Sequence, residues 1–237
     1  MRTRFKTILF VPLICVVFST QAADKLPCVG DDHATWTNCH GTIETDNLYF
    51  VGDFFDGTPH GEGVLKDSFG TKYQGEFEEG KKEGRGEMTF GSEHPLSGST
   101  YVGQFKNDMP HGYGLMRYLN GATYKGTYHL GQFHGHGSMM FSNGDHHRGG
   151  YKNGLKEGFG IYTYVDGARY EGLWRNDHEH GRGRQIYASG GKYVGIFQNG
   201  APNGEGVYTF SNGASYKAMW VDGEPLQATI ENLPLKN

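Results

Sequence analysis

The chain has 237 residues, including 39 glycines, 15 tyrosines, 15 phenylalanines and 3 tryptophans, and a formal charge of −4 with the histidines neutral. A net negative charge argues against a nucleic-acid partner and weakens any simple attraction to anionic lipid. Glycine and aromatic residues at this density, without runs of charge, point to ordered structure with many close backbone contacts.

In chain order, Met1, Arg2, Arg4 and Lys6 precede an apolar run from Ile8 to Phe18, followed by small residues at Thr20 and Ala22. That is the pattern of a secretory signal peptide over residues 1–22, cleaved after Ala22. The run falls short of the roughly 20 residues a spanning helix needs and is interrupted by Pro12. Cleavage leaves 19 basic against 26 acidic residues and places the mature chain in the periplasm or outside the cell.

Residues 23–46 form an N-terminal cap that holds Cys28 and Cys39. In an oxidising compartment this pair reads as a disulfide closing a short loop around Trp36. His33 and His40 lie near enough in sequence to offer an alternative four-ligand metal set, but the spacing matches no common zinc pattern.

From 47 to 223 the chain repeats. Phe50, Tyr73, Tyr101, Tyr124, His147, Tyr170, Tyr193 and Tyr216 are spaced by 23 residues, except for 28 between Tyr73 and Tyr101. Each leading ring is followed by glycine and a second aromatic, as in Tyr73, Gly75, Phe77; Tyr101, Gly103, Phe105; and Tyr124, Gly126, Tyr128. Later units read Tyr170, Gly172, Trp174 and Tyr193, Gly195, Phe197. A polar turn and a G-x-G follow, for example Gly112 and Gly114. Seven units carry the full glycine skeleton, and a partial eighth begins at Tyr216.

Alternation at period two makes each unit a pair of strands, with rings and glycines on one face and mostly polar residues on the other. Asn120-Gly121, Asn143-Gly144, Asp166-Gly167 and Asn212-Gly213 join successive units and predict type I′ hairpin turns. The glycines inside strands predict rings of neighbouring units lying flat against bare backbone, with simple bulges as the alternative. Gly91 to Thr100 holds a five-residue insertion, expected to project as an enlarged hairpin tip. Residues 224–237, interrupted by Pro225 and Pro234, form a tail without repeat character.

The unit Y-x-G-x-F, followed by G-x-G and an Asn-Gly or Asp-Gly turn, resembles the repeat of the MORN repeat proteins, and the likeness covers residues 50–223. The segment from Cys28 to Gly41 also looks like the start of secreted bacterial members. The resemblance implies an all-β fold, an elongated single-layer antiparallel sheet of tandem 23-residue hairpins. It implies roles in protein scaffolding, dimer formation and contact with phospholipid membranes, and no catalytic residues.

His129, His134, His136, His146 and His147 fall within one unit's reach and are the candidates for a metal site. His60, His111, His134 and His180, however, share one repeat position directly before the first glycine of G-x-G. The repeat therefore accounts for these four. His147 stands in a leading aromatic slot, and Ala218 replaces a glycine in the last unit.

No motif for a nucleophile, a zinc protease or a phosphate loop is present, and the repeats leave no length for an added catalytic domain. No cofactor or small-molecule substrate is implied. The reading that follows is a non-enzymatic scaffold in the envelope or outside the cell, binding another protein or itself through an aromatic face left without cover. The alternative is a peripheral phospholipid-binding module anchored by Tyr, Phe and Trp174.

Overall fold

The computed structural model describes residues 25–226 and 231–233. The leader segment 1–22 and the remainder of the tail lie outside the described residues. A short β1 (Cys39–Glu44) leads into the hairpins β2 (Leu48–Phe55) with β3 (Thr58–Asp67), β4 (Lys72–Glu78) with β5 (Lys81–Thr89), and β6 (Thr100–Lys106) with β7 (Met109–Arg117). Then come β8 (Thr123–His129) with β9 (Gln132–Met140), β10 (His146–Lys152) with β11 (Leu155–Thr163), and β12 (Arg169–Arg175) with β13 (His178–Ile186). The array ends with β14 (Lys192–Gln198), β15 (Ala201–Thr209), β16 (Ser215–Val221), β17 (Glu224–Pro225) and β18 (Glu231–Leu233).

Each strand from β1 to β16 pairs antiparallel with the next, giving one sheet in sequence order. Every pairing within the repeats is therefore local in sequence. Residues of the tail join this sheet: β17 continues the last hairpin, and β18 pairs with β16.

The turns depart from the expectation. The type I′ turns sit at the opposite end of each hairpin, where Asp56-Gly57, Asn153-Gly154 and Asn199-Gly200 all have both residues at positive φ. At Asn120-Gly121 only the glycine does. There Tyr118 O accepts from Gly121 N at 3.0 Å and Tyr118 N donates to Ala122 O at 2.9 Å, closing a three-residue loop with a glycine bulge. Asparagine is favoured before that glycine because its side-chain oxygen accepts from Ala122 N, 3.1 Å away. Asp166 and Asn212 do the same for Ala168 and Ala214.

One type I′ turn carries a strained residue. Leu130 has φ 48° at a position held elsewhere by Asp, Glu or Asn, and a branched side chain there is held against its preference. Leu130→Asn is expected to raise stability by about 1 kcal/mol, read as a higher denaturant midpoint at unchanged slope.

The in-strand glycines do two jobs. Across the sheet they form a continuous column of opposed pairs, such as Gly103 with Gly114 and Gly114 with Gly126. A Cβ at Gly103 would stand 2.5 Å from Tyr101 Oη and 2.6 Å from Gly114 Cα. The ring lying on each unit's glycine pair is thus the unit's own leading ring, with Phe50 in the first unit and His147 in the fifth, rather than a neighbour's. The first glycine of G-x-G is a bulge: Gly112 has φ +63°, and the register shifts between Gly103 and Phe105. Gln104 Oε1 accepts from Tyr113 N at 2.8 Å and braces that bulge.

The insertion is a hairpin tip but does not stand free. Phe90 and Ser99 are buried at its base. Ser92 N donates to Phe69 O and Leu119 N to Ser99 Oγ, tying the loop to the units on both sides.

Candidate binding surface

The two faces of the sheet differ in what they leave available. On the ring face, Tyr73, Tyr101, Tyr124, Tyr170 and Tyr193 are each fixed by the hydroxyl, which donates to the backbone carbonyl three residues on. Tyr73 reaches Glu76 O, Tyr101 reaches Gln104 O, and Tyr170 reaches Leu173 O, at 2.8 to 2.9 Å. The second aromatic of the unit stands edge-on to that ring, and the second aromatic of the next unit closes the other side. Tyr101, for example, meets Phe105 at 5.1 Å and Tyr128 at 5.0 Å between centroids.

Repetition links Trp36, Phe54, Phe50, Phe77, Tyr73 and Phe105 into one row that runs on to Trp220. The leading tyrosines are fully buried except Tyr216, and Trp174 is 5% exposed. The aromatic face expected to lack cover is therefore covered by its own rings. Trp174 and the ring-face Tyr and Phe, proposed as membrane anchors, are interior residues.

The N-terminal cap closes one end of this row. The sulfurs of Cys28 and Cys39 are bonded, and Trp36 packs on Phe54 while its Nε1 donates to Gly30 O. Beyond β1, Cys28 N donates to His40 O and His40 N to Leu26 O, which occupies the edge of the sheet.

The row changes character at His147, and the buried apolar core divides there, one part ending at Tyr151 and the other starting at Tyr170. His147 is fully buried, its Nδ1 is 2.7 Å from Tyr151 Oη, and its Nε2 has no partner. Burial, with Lys156 and His146 nearby, holds this imidazole down at about 3 against an ordinary 6.5. Lys156 Nζ lies 4.4 Å from the centroid of the Trp174 ring. Burial also pushes the Glu179 carboxyl up to about 7, against the opposing pull of Lys156.

These two groups oppose each other in their effect on stability. The unfolded chain takes a proton at His147 below about 6.5, whereas the folded chain resists it until about 3. Stability attached to His147 is therefore complete above 6.5 and falls between those values as acid is added. Glu179 ionises near 4.5 when unfolded but near 7 when folded, so its contribution is complete below 4.5 and falls as pH rises to 7. His147→Phe is expected to be less acid-sensitive than the parent between pH 6.5 and 3, measured by melting temperature against pH. An identical pH slope in the two proteins would overturn the assignment.

The other candidate histidines do not converge. His146 bonds Ser138 Oγ at 2.8 Å, and the alternation places His136 with it on the open face, away from His147. His129 and His134 stand beside His111 near the hairpin turns. Among the described residues no group of three His, Cys, Asp or Glu side chains is arranged to hold a metal ion.

The open face is the surface on offer. Its residues line up across strands: Val102, Leu115, Lys125, Ser138, Arg148, Ile161, Glu171 and Arg184 are opposed in turn. Beside that row lie Tyr113 and Phe159, which are 55% and 58% exposed. Near the first units the two rows flank a concavity floored by Gly75, Gly86 and Gly103 and walled by Glu62, Arg85, Glu87, Val102 and Tyr113.

Charge is graded along this face. In the first two units Asp53, Glu62, Glu76 and Glu87 are only partly offset by Lys66, Lys72 and Arg85. From the third unit onward it carries Arg117, Lys125, Arg148, Arg182, Arg184 and Lys192, none in an ion pair among the described residues. Sequence reasoning missed this because cations two residues apart in a strand, or on different strands, form no run. The signal was present in the alternation and needed the register to be read.

A single sheet of tandem hairpins with one self-covered face and one open face is a repeat-type binding fold. The sequence pattern that defines the MORN repeat matches residues 50–68, 73–93, 101–123, 124–146, 147–169, 170–192 and 193–215. The chain belongs to the MORN repeat family. Comparison with curated proteins found no match.

Among solved structures the chain is similar to the TCP10 domain of Danio rerio CPAP in complex with a peptide of Danio rerio STIL. That likeness has a TM-score of 0.43 and 11% identity, covering 75% of this chain and 77% of that one. It is also similar to the Drosophila melanogaster SAS-4 (dCPAP) TCP domain in complex with a proline-rich motif of Ana2, with a TM-score of 0.37 and 11% identity over 67% of this chain and 90% of that one. Both are distant likenesses.

Proposed function

We propose that this protein is a non-enzymatic scaffold of the secreted bacterial MORN type, exported on the signal of residues 1–22 to the periplasm or beyond. It binds a protein partner or a second copy through the open face. The observation that carries this reading is the division of labour between faces: the rings are consumed by packing, and exposed aromatic residues with free cations collect on the other side. Among the described residues no group of three His, Cys, Asp or Glu side chains arranged for a metal accompanies them, and recognition is the use the surface suits.

A phospholipid module is the second reading. It loses Trp174 and the ring-face anchors and now draws on the cations and the exposed rings of the open face, Tyr113 and Phe159. Cross-linking of the native protein in its own compartment, followed by mass spectrometry and light scattering of the purified protein, tests the scaffold reading. A reproducible partner or a stable dimer is expected. A strict monomer that cross-links to nothing would sink it, and co-sedimentation with anionic vesicles in that case would favour lipid.

A further inference from the structure

Across the fifth to seventh units the open face combines two features usually kept apart. Phe159 and Leu173 lie directly opposite each other on β11 and β12, and Arg182 and Ile196 on β13 and β14. Leu173 and Ile196 are exposed together with Phe159. Arg148 opposes Ile161, and Arg184 opposes both Glu171 and Val194. Apolar side chains and guanidinium groups thus alternate over adjacent strands, about 5 Å apart.

We propose that this patch is the docking site for an acidic polypeptide segment carrying apolar side chains, with Arg148, Arg182 and Arg184 taking its carboxylates and Phe159, Leu173 and Ile196 its apolar groups. This rests on the scaffold reading and names the chemistry of the partner. Charge complementarity selects the occupant. The cations are arginines, whose planar forks bind carboxylates bidentately and keep packing area beside apolar neighbours. A polyphosphate strand offers nothing to Leu173 or Ile196. A broad anionic surface would also approach Asp53, Glu62, Glu76 and Glu87 at the other end of the same face, which Lys66, Lys72 and Arg85 only partly offset. A short segment confined to these units instead meets Glu171 and Glu205, each already ion-paired. Exposed aromatic and arginine side chains side by side are also the composition of interface hot spots.

The test uses the purified mature protein and fluorescence anisotropy with four probes: a labelled peptide alternating glutamate and leucine, a lysine and leucine counterpart, a glutamate and serine counterpart, and phosphatidylglycerol vesicles. The glutamate and leucine peptide is expected to bind best, and to weaken as salt rises. The triple variant Arg148→Gln, Arg182→Gln, Arg184→Gln should lose about tenfold or more in affinity, and Phe159→Ala should lose affinity without altering salt dependence. Unchanged melting temperatures in both variants show that the fold is intact. The proposal is overturned if the lysine peptide binds as tightly, if the serine peptide matches the leucine peptide, if the triple variant binds unchanged, or if only the vesicles bind. Should the triple variant keep the parent's cross-linked partners, this docking assignment falls while the scaffold reading stands. An absence of cross-linked partners for the parent removes the scaffold reading itself.

Discussion

Replacing Gly114 by valine is expected to cost about 3–5 kcal/mol and to disorder the third repeat. The position has no room: the ring of Tyr101 lies directly over Gly114 and contacts the space a Cβ would fill. The ring cannot move aside cheaply, because its hydroxyl is bonded to Gln104 O and its edges are held by Phe105 and Tyr128. Lifting it would break that bond and both ring contacts, and would expose the backbone of the glycine pair to water.

Repeat arrays transmit such damage to neighbours, since each unit is stabilised mainly by the next. A drop of about 10 °C in melting temperature is expected, with faster amide exchange centred on β6 to β8. Gly121→Ala is the control, because nothing lies within 4 Å of a Cβ there and only the φ of +88° opposes it. Its expected cost is about 1 kcal/mol. Equal effects from the two substitutions would show that ring cover is not what the glycine column provides.

Converting Cys28 and Cys39 to serine is the second large perturbation, with an expected loss of about 2–3 kcal/mol. The loop between them is short, so the entropic restraint on the unfolded chain is moderate, but the consequences in the folded state add to it. Cys39 is itself buried, and the disulfide holds Trp36 over Gly41 and against Phe54. Without it, the cap residues Leu26 and Cys28 no longer hold their hydrogen bonds to His40, and the edge of β1 is opened. Lower stability should therefore come with concentration-dependent association and a shifted Trp36 emission, recorded with Trp174 and Trp220 replaced by phenylalanine. An unaltered melting curve and emission in the double serine variant would show that the cap is held by packing alone.

Much of the architecture is legible in the residues because its period is carried by groups with few substitutes. A ring that must lie on bare backbone requires glycine beneath it, so Tyr101, Gly103 and Gly114 announce one another across thirteen residues. The strand pairing follows, since each strand meets the next in sequence and no long-range choice of partner arises. Turn chemistry was harder to place. Asn120-Gly121 has the composition of a type I′ turn, yet its asparagine serves Ala122 N through the side chain, and its backbone stays at negative φ. Composition constrains a turn to a few types; the length of the loop selects among them.

His147 and the open face mark the other limit. The period puts His147 in a leading aromatic slot, but only the packed ring row makes it an interior, partner-poor imidazole. The basic surface is a product of register. Arg148 lies on β10 and Arg182 and Arg184 two residues apart on β13 of an acidic protein, and they become one patch because pairing and alternation align them on one face. Local rules of period, ring and glycine are enough to specify the sheet, because they act within a unit and between sequence neighbours. The cover over the rings and the electrostatic character of the free face depend on side chains meeting across strands, and that meeting exists only once the units are stacked.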